Sequence, residues 1–174
     1  SGSIAVIASG GAINDQSNDL VEDLSAGTTI FLNAWGEIGV TNGKLDLAAA
    51  STVTARSMFA GDIGLQGLGG LLLNNVETAD GRIDVIAAGD MYVGSAVSMA
   101  DAIGNDIKLV STGGSITVAT AVNAGAAGNV DLTASSDVTG GLVSADVLTV
   151  SAGGLIDLAT KVASLTSASG TSTT

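Results

Sequence analysis

The chain has 174 residues, of which 46% are hydrophobic but only 2% aromatic, so aliphatic side chains must form its core. It has no Cys, Pro or His, which excludes disulfides, thiolate metal sites and the commonest general base. The net charge of −12 argues against binding to nucleic acid or to an anionic membrane. No apolar run approaches the ~18 residues that a transmembrane helix needs.

A short motif, Gly-x-aliphatic-x-aliphatic, recurs along the whole chain. Each copy has the form of a turn glycine followed by a short strand whose alternate side chains point to one side. The copies begin at Gly2, Gly36, Gly43, Gly61, Gly81, Gly114, Gly128 and Gly154. This recurrence indicates a repeat protein.

Two series of aliphatic residues set the length of the repeat. The first-strand series is Ile4, Ile30, Leu45, Ile63, Ile83, Ile107, Val130 and Leu148. The second-strand series is Ile13, Ile38, Val53, Leu71, Met91, Ile116, Val138 and Ile156. With a third apolar position in most repeats, the pattern is typical of a β-helix with about twenty residues per coil and seven to eight coils. The assignment of residues 30–60 to individual coils stays open, because the short interval between Ile30 and Leu45 allows the coils to be divided differently.

Apolar residues recur every second position rather than with the helical period, which favours strands. A left-handed β-helix would have a strict hexapeptide period, and this chain has none. We therefore predict an all-β fold, a single right-handed parallel β-helix (solenoid) that forms one domain over residues 1–174. Residues 14–27 are predicted to leave the first coil as a polar loop, and residues 164–174 to form a Ser/Thr-rich tail.

Equivalent residues of successive coils should stack about 4.8 Å apart, so outward side chains form a ladder. The predicted first-strand ladder is Ala5, Phe31, Asp46, Gly64, Asp84, Lys108, Asp131 and Thr149. Gly64 would separate two aspartates, and Lys108 would lie between two others. We interpret this alternation as a structural device that relieves repulsion between like charges.

Acidic and amide side chains cluster around several predicted turns. Asp80, Asp90, Asp101, Asn105 and Asp106 offer the oxygen ligands that Ca²⁺ prefers. Asp and Asn also favour turns because their side chains bond the local backbone. The pattern therefore fits either a calcium site or a purely structural role.

Three aromatic rings, those of Phe31, Trp35 and Tyr92, are candidates for stacking on sugars. Of these, Trp35 and Tyr92 are the predicted glycan-binding residues. Rings spread over several coils also serve to fill the corners of a solenoid, so both interpretations stay open.

No group of residues can be assigned catalytic roles. Paired aspartates can hydrolyse glycosides on a β-helix. The chain offers only five basic residues and no His, which makes a cleft for acidic polysaccharides a remote alternative. We expect a protein that is not an enzyme and that needs no cofactor, apart from the calcium considered above.

The degenerate repeats resemble those of the filamentous-haemagglutinin-like exoproteins of Gram-negative bacteria and, more broadly, of large autotransporter adhesins. GNVDLTASSDVTGGLVSADVLTV, from Gly128, and GRIDVIAAGDMYVGSAVSMA, from Gly81, carry the likeness. The resemblance implies a β-helical stalk at the bacterial cell surface. The family's amino-terminal secretion domain has proline-containing motifs, and this chain has no Pro, so it resembles the repetitive shaft instead. No functional residues come with the likeness.

We expect a structural, non-catalytic module: the shaft of a secreted adhesin, or a fibre that stacks end to end. Neither terminus offers a cap, so the expected partner is a copy of the chain or flanking coils of a parent chain. The alternative is an adhesin module that binds glycans or a host surface. Neither nucleic acid nor membrane insertion is expected.

Overall fold

The computed structural model describes residues 2–15, 19–39, 43–48, 52–169 and 172–173. This part of the chain is all β, and it contains no helix that could cross a membrane. Its strands are β1 (Ile4–Ala8), β2 (Thr29–Ala34), β3 (Leu45–Leu47), β4 (Thr52–Ser57), β5 (Ile63–Gly67), β6 (Leu71–Thr78), β7 (Ile83–Ala87), β8 (Met91–Ser98), β9 (Ile107–Ser111), β10 (Ile116–Asn123), β11 (Val130–Ala134), β12 (Val138–Ala152), β13 (Leu155–Ser169) and β14 (Ser172–Thr173).

The strands wind into a parallel β-solenoid. One ladder runs β1-β2-β4-β6-β8-β10-β12, and the other runs β3-β5-β7-β9-β11 and rejoins β12, which turns the corner between them. Equivalent residues lie roughly 21 positions apart over about six turns. The predicted all-β parallel solenoid is confirmed. A right-handed winding is what parallel crossover connections adopt in nearly all proteins, and it remains our prediction for this one.

The core is a column of aliphatic side chains stacked in register. Ile63 pairs with Ile83, Ile83 with Ile107 and Ile107 with Val130. These side chains are almost completely buried. Because side chains alternate across a strand, every second residue joins this column and its neighbours face outward.

The phase of the first coils differs from the prediction. Ile13 bridges Ile38, and Ile38 bridges Ile63, so the first two belong to the first-strand ladder. Ile4 pairs with Ile30, which in turn pairs with Val53 of the second ladder. The two series are therefore exchanged at Ile4, Ile13, Ile30 and Ile38, whereas Leu45 and Val53 lie in their predicted ladders. The alternating pattern looks the same in either ladder, so it could not distinguish them.

The predicted count of seven to eight coils was slightly too high. Leu45 had been given a coil of its own, but it pairs with Leu65, two positions beyond the partner of Ile38. Ile38 and Leu45 thus lie in the same coil. The interval from Ile38 to Leu45 therefore does not add a coil.

The outward ladder is confirmed from Gly64 onward. Gly64 pairs with Asp84, Asp84 with Lys108 and Lys108 with Asp131, so the lysine lies between two carboxylates as predicted. The placement of Asp46 in this ladder was wrong, because it pairs with Gln66 instead. The same holds for Phe31, which pairs with Thr54 in the other ladder.

The segments at the two ends of the chain contribute to the winding. Leu24, within the polar stretch 14–27, bridges Leu47, and the backbone N–H groups of Asp23 and Leu24 donate to the carbonyl of Asp46. Asp23 and Leu24 therefore lie along β3. At the other end, residues 164–169 of the predicted tail continue β13 and pair with β12.

Truncation of one core side chain should test the register. Leu109 is fully buried in β9, and we expect Leu109→Ala to lower the free energy of unfolding by about 2–5 kcal/mol because it leaves a cavity between two coils. Lys108→Ala, at the adjacent outward position, should cost less than about 1 kcal/mol. Urea denaturation followed by circular dichroism measures both. Equal effects of the two substitutions would contradict the assigned inward and outward faces.

Candidate functional site

Aspartates at the corners tie successive coils together. The Oδ1 atoms of Asp62, Asp90, Asp106 and Asp137 each accept a hydrogen bond from a backbone N–H of the next coil, at 2.7–2.9 Å. The donors are Arg82, Ser115, Asn129 and Leu155, which lie at or just before the start of a strand. These carboxylates thus satisfy N–H groups at the corners, where the sheet ladder does not continue.

The residues predicted as calcium ligands make similar contacts. Asn105 is buried, and its Nδ2 donates to Asp80 Oδ1 at 2.8 Å and to the carbonyl of Ala100 at 3.1 Å. Asp101 Oδ1 accepts the backbone N–H groups of Ala126 and Ala127, both at 2.7 Å. The structure therefore brings Asp80 and Asn105 together. Asp90, Asp101 and Asp106 each bond a separate stretch of backbone.

Loss of one corner carboxylate should remove hydrogen bonds that link successive coils and so lower the stability of the protein. We expect Asp101→Ala to reduce the free energy of unfolding by about 1–2 kcal/mol, because two N–H groups lose a charged acceptor. Asp157→Ala removes an exposed carboxylate from β13 and should change stability by less than about 0.5 kcal/mol. Urea denaturation compares the two variants. If Asp101→Ala lowered the free energy of unfolding no more than Asp157→Ala does, this structural role would be contradicted.

The two predicted glycan-binding residues lie apart. Trp35 is 48% exposed and stacks face to face on Phe59, with ring centroids 5.6 Å apart and planes 6° apart. Tyr92 is exposed in β8, three coils beyond β2, next to Leu72 in the outward ladder. The third ring, Phe31, is partly exposed on β2. Sequence reasoning missed Phe59, whose position beside Trp35 follows only from the coil register.

An exposed apolar patch surrounds the stacked pair. A surface hollow is lined by Ile7, Trp35 and Met58, which come from three successive coils. Ile7 and Met58 are as exposed as the rings themselves. Such patches on soluble proteins mark surfaces that contact another molecule.

A second hollow, of about 190 Å³, lies on the outward face where Gly39 and Gly64 carry no side chains. Its polar lining comes from Asp62, Arg82, Asp84, Asp106 and Lys108. Nearby, Lys44 Nζ lies 2.7 Å from Asp84 Oδ2. Charges of both signs alternate here, so the hollow does not favour a ligand of one charge.

Three acidic side chains that were not predicted as a site converge on the outer face of β3. Asp15, Asp23 and Asp46 each place a carboxylate oxygen within 4.8 Å of the other two, and they are the only such acidic trio in the described ranges. Asp15 and Asp46 are buried. Asp15 and Asp23 lie against Asp46 on this face. No signal in the sequence linked these positions, because Asp46 was expected on an exposed ladder.

Burial raises the pKa of Asp46 above its ordinary value of 3.8, and the carboxylates of Asp23, Asp15 and Asp19 raise it further. A hydrogen bond from the backbone of Leu20 acts in the opposite direction. Charging Asp46 therefore costs more in the folded protein than in the unfolded chain.

We expect Asp46→Asn to raise the melting temperature at pH 7 in EDTA, because it removes a charge that burial and neighbouring carboxylates disfavour. The native state holds the Asp46 proton more tightly, so the penalty is present above the raised pKa. It disappears as the pH falls toward 3.8. The advantage of Asp46→Asn should shrink over the same range. Thermal melts from pH 7 to 4, with Asp157→Asn as the control, test this prediction. A difference in melting temperature between Asp46→Asn and the wild type that stays constant over this range would contradict it.

Comparisons of the chain with protein-family models, with curated proteins and with solved structures find no match. The likeness to the filamentous-haemagglutinin-like exoproteins therefore depends on the repeats alone. The fold itself is a parallel β-solenoid, whose form is compatible with a structural repeat module.

Proposed function

We propose that this chain is a structural, non-catalytic solenoid module of an extracellular protein. It would form the shaft of a secreted adhesin or a fibre that stacks end to end. The exposed end of its core carries the proposal. Leu165 continues the inward ladder of Leu148, yet it is 52% exposed while Leu148 is fully buried.

The backbone at this end supports the same function. β13 pairs with β12 over nearly its whole length, but within the described residues its other edge pairs only at Leu155 and Ile156, with β14. A long parallel edge over an apolar surface is a template for another strand. A further coil would cover both.

The opposite end has a similar character. Ile4 and Val6 of β1 are only half-buried, whereas their partners Ile30 and Leu32 are fully buried. Each end therefore exposes part of the aliphatic column. Between the ends, the net charge of −12 disfavours lateral association, which directs contacts toward the ends.

The extracellular location is part of the proposal. It is supported by the absence of Cys, by the acidic surface and by the resemblance of the repeats to exoprotein shafts. Flanking coils of a parent chain and copies of the chain would meet the same end faces.

Assembly of the purified chain tests the stacking form of this proposal. We expect filaments in electron micrographs and concentration-dependent sedimentation. Leu165→Lys should raise the concentration required by at least about tenfold, the equivalent of 1.4 kcal/mol, because it places a charge on the end face. Leu142→Lys alters an exposed leucine on the side of β12 and should assemble like the wild type. A chain that stays monomeric at all concentrations, or that assembles equally well with Leu165→Lys, contradicts end-to-end stacking.

A second function, recognition of glycans or a host surface, is favoured by the stacked pair Trp35 and Phe59. Flat, exposed rings provide a large rigid contact surface with little loss of conformational entropy. We expect saturable binding on a glycan array to weaken at least about tenfold in Trp35→Ala. Tyr92→Ala, three coils away, tests whether the other predicted residue belongs to the same surface. Binding that survives both substitutions contradicts this function.

A further inference from the structure

We propose that Asp15, Asp23 and Asp46 bind a divalent cation, with Ca²⁺ as the preferred ion. One carboxylate oxygen of each lies within 4.8 Å of the other two. Two oxygens on opposite sides of a Ca²⁺ ion are about 4.6–5.2 Å apart, given Ca–O distances of 2.3–2.6 Å. The three oxygens thus lie within the span of one calcium coordination sphere.

The Asp46 side chain provides the second, independent observation. It is only 2% exposed, and its Oδ1 atom has no hydrogen-bond partner among the described residues. A buried carboxylate oxygen without a donor is costly, since it has lost water and gained nothing in exchange. A cation that the Asp46 carboxylate binds through both of its oxygens would satisfy this atom.

The basic side chains with assigned contacts bond elsewhere. Lys44 pairs with Asp84, Arg56 pairs with Glu77, and Arg82 Nε donates to the carbonyl of Gly104. The charges that act on Asp46 come from Asp15, Asp19 and Asp23, and all of them are negative. A cation bound at the trio would offset this negative charge.

The chemistry of the trio favours Ca²⁺ over Mg²⁺. Calcium accepts six to eight oxygen ligands in irregular geometry, including bidentate carboxylates. Magnesium demands a near-ideal octahedron with oxygens at 2.0–2.1 Å, which places opposite ligands only about 4.2 Å apart. Asp15 and Asp23 come from a different segment than Asp46, and such a set of carboxylates matches the irregular geometry that calcium accepts.

Cation binding would fasten the first coil to the second. Asp15 and Asp23 belong to the polar stretch 14–27, while Asp46 belongs to β3. The backbone N–H of Asp46 already donates to Asp23 Oδ2 at 2.8 Å. The ion would join these two segments irrespective of whether the chain stacks end to end.

Titration of the 174-residue chain with CaCl2 tests the proposal. We expect calorimetry to give one site per chain, and we expect Ca²⁺ to raise the melting temperature above its value in EDTA. Asp46→Asn and Asp15→Asn should each weaken binding by at least about tenfold. Asp157→Asn removes a distant exposed carboxylate and should bind Ca²⁺ like the wild type. MgCl2 should bind more weakly than CaCl2.

Several results would overturn the proposal. One is the absence of both heat and thermal stabilisation at about 10 mM CaCl2, which lies above the dissociation constants of weak extracellular calcium modules. Another is equal binding by wild type and Asp46→Asn, provided that circular dichroism shows both to be folded. If Asp46→Asn failed to fold, Asp15→Asn would decide the question by the same comparison.

Discussion

The structure depends on the stacking of each coil's aliphatic side chains directly on those of the next. Ile63, Ile83 and Ile107 illustrate it: each is buried because its neighbours in the preceding and following coils cover it. No coil can bury its own core. Each coil is therefore stabilised by contact with its neighbours. The end coils lack one neighbour, and Leu165 is half exposed there. This geometry is compatible with a structural repeat module, because an aliphatic column that is open at its ends offers a surface on which a further coil would pack.

The outer surface carries a second layer of organisation. Corner aspartates such as Asp90 and Asp106 accept backbone N–H groups of the following coil, so their negative charge serves the winding. Lys108 lies between Asp84 and Asp131 on the open face. Asp46 departs from this scheme because a loop covers it, and its charge meets other carboxylates instead of water or a base. An acidic surface is ordinary in this protein, whereas an acidic trio with two buried members is not.

The two candidate ligand surfaces arise in different ways. Trp35 and Phe59 meet because residues of neighbouring coils stack in register, which creates a patch from single rings distant in sequence. Asp15, Asp23 and Asp46 meet because Asp15 follows the bridge from Ile13 to Ile38 and Asp23 precedes the bridge from Leu24 to Leu47. The first surface is exposed and apolar and suits a partner of some size. The second is partly buried and charged and suits an ion.

The period-two pattern and the turn glycines were sufficient to predict a parallel solenoid with coils of about twenty residues, because strand alternation and close stacking leave a local trace in the sequence. That trace predicted the neighbours of Lys108 correctly. It assigned Ile4, Ile13, Ile30 and Ile38 to the wrong ladders, because the alternation is the same in both, and it did not show that Ile38 and Leu45 share one coil. The burial of Asp46 and the contact between Trp35 and Phe59 were decided only by tertiary structure, because both depend on which segments the winding brings side by side.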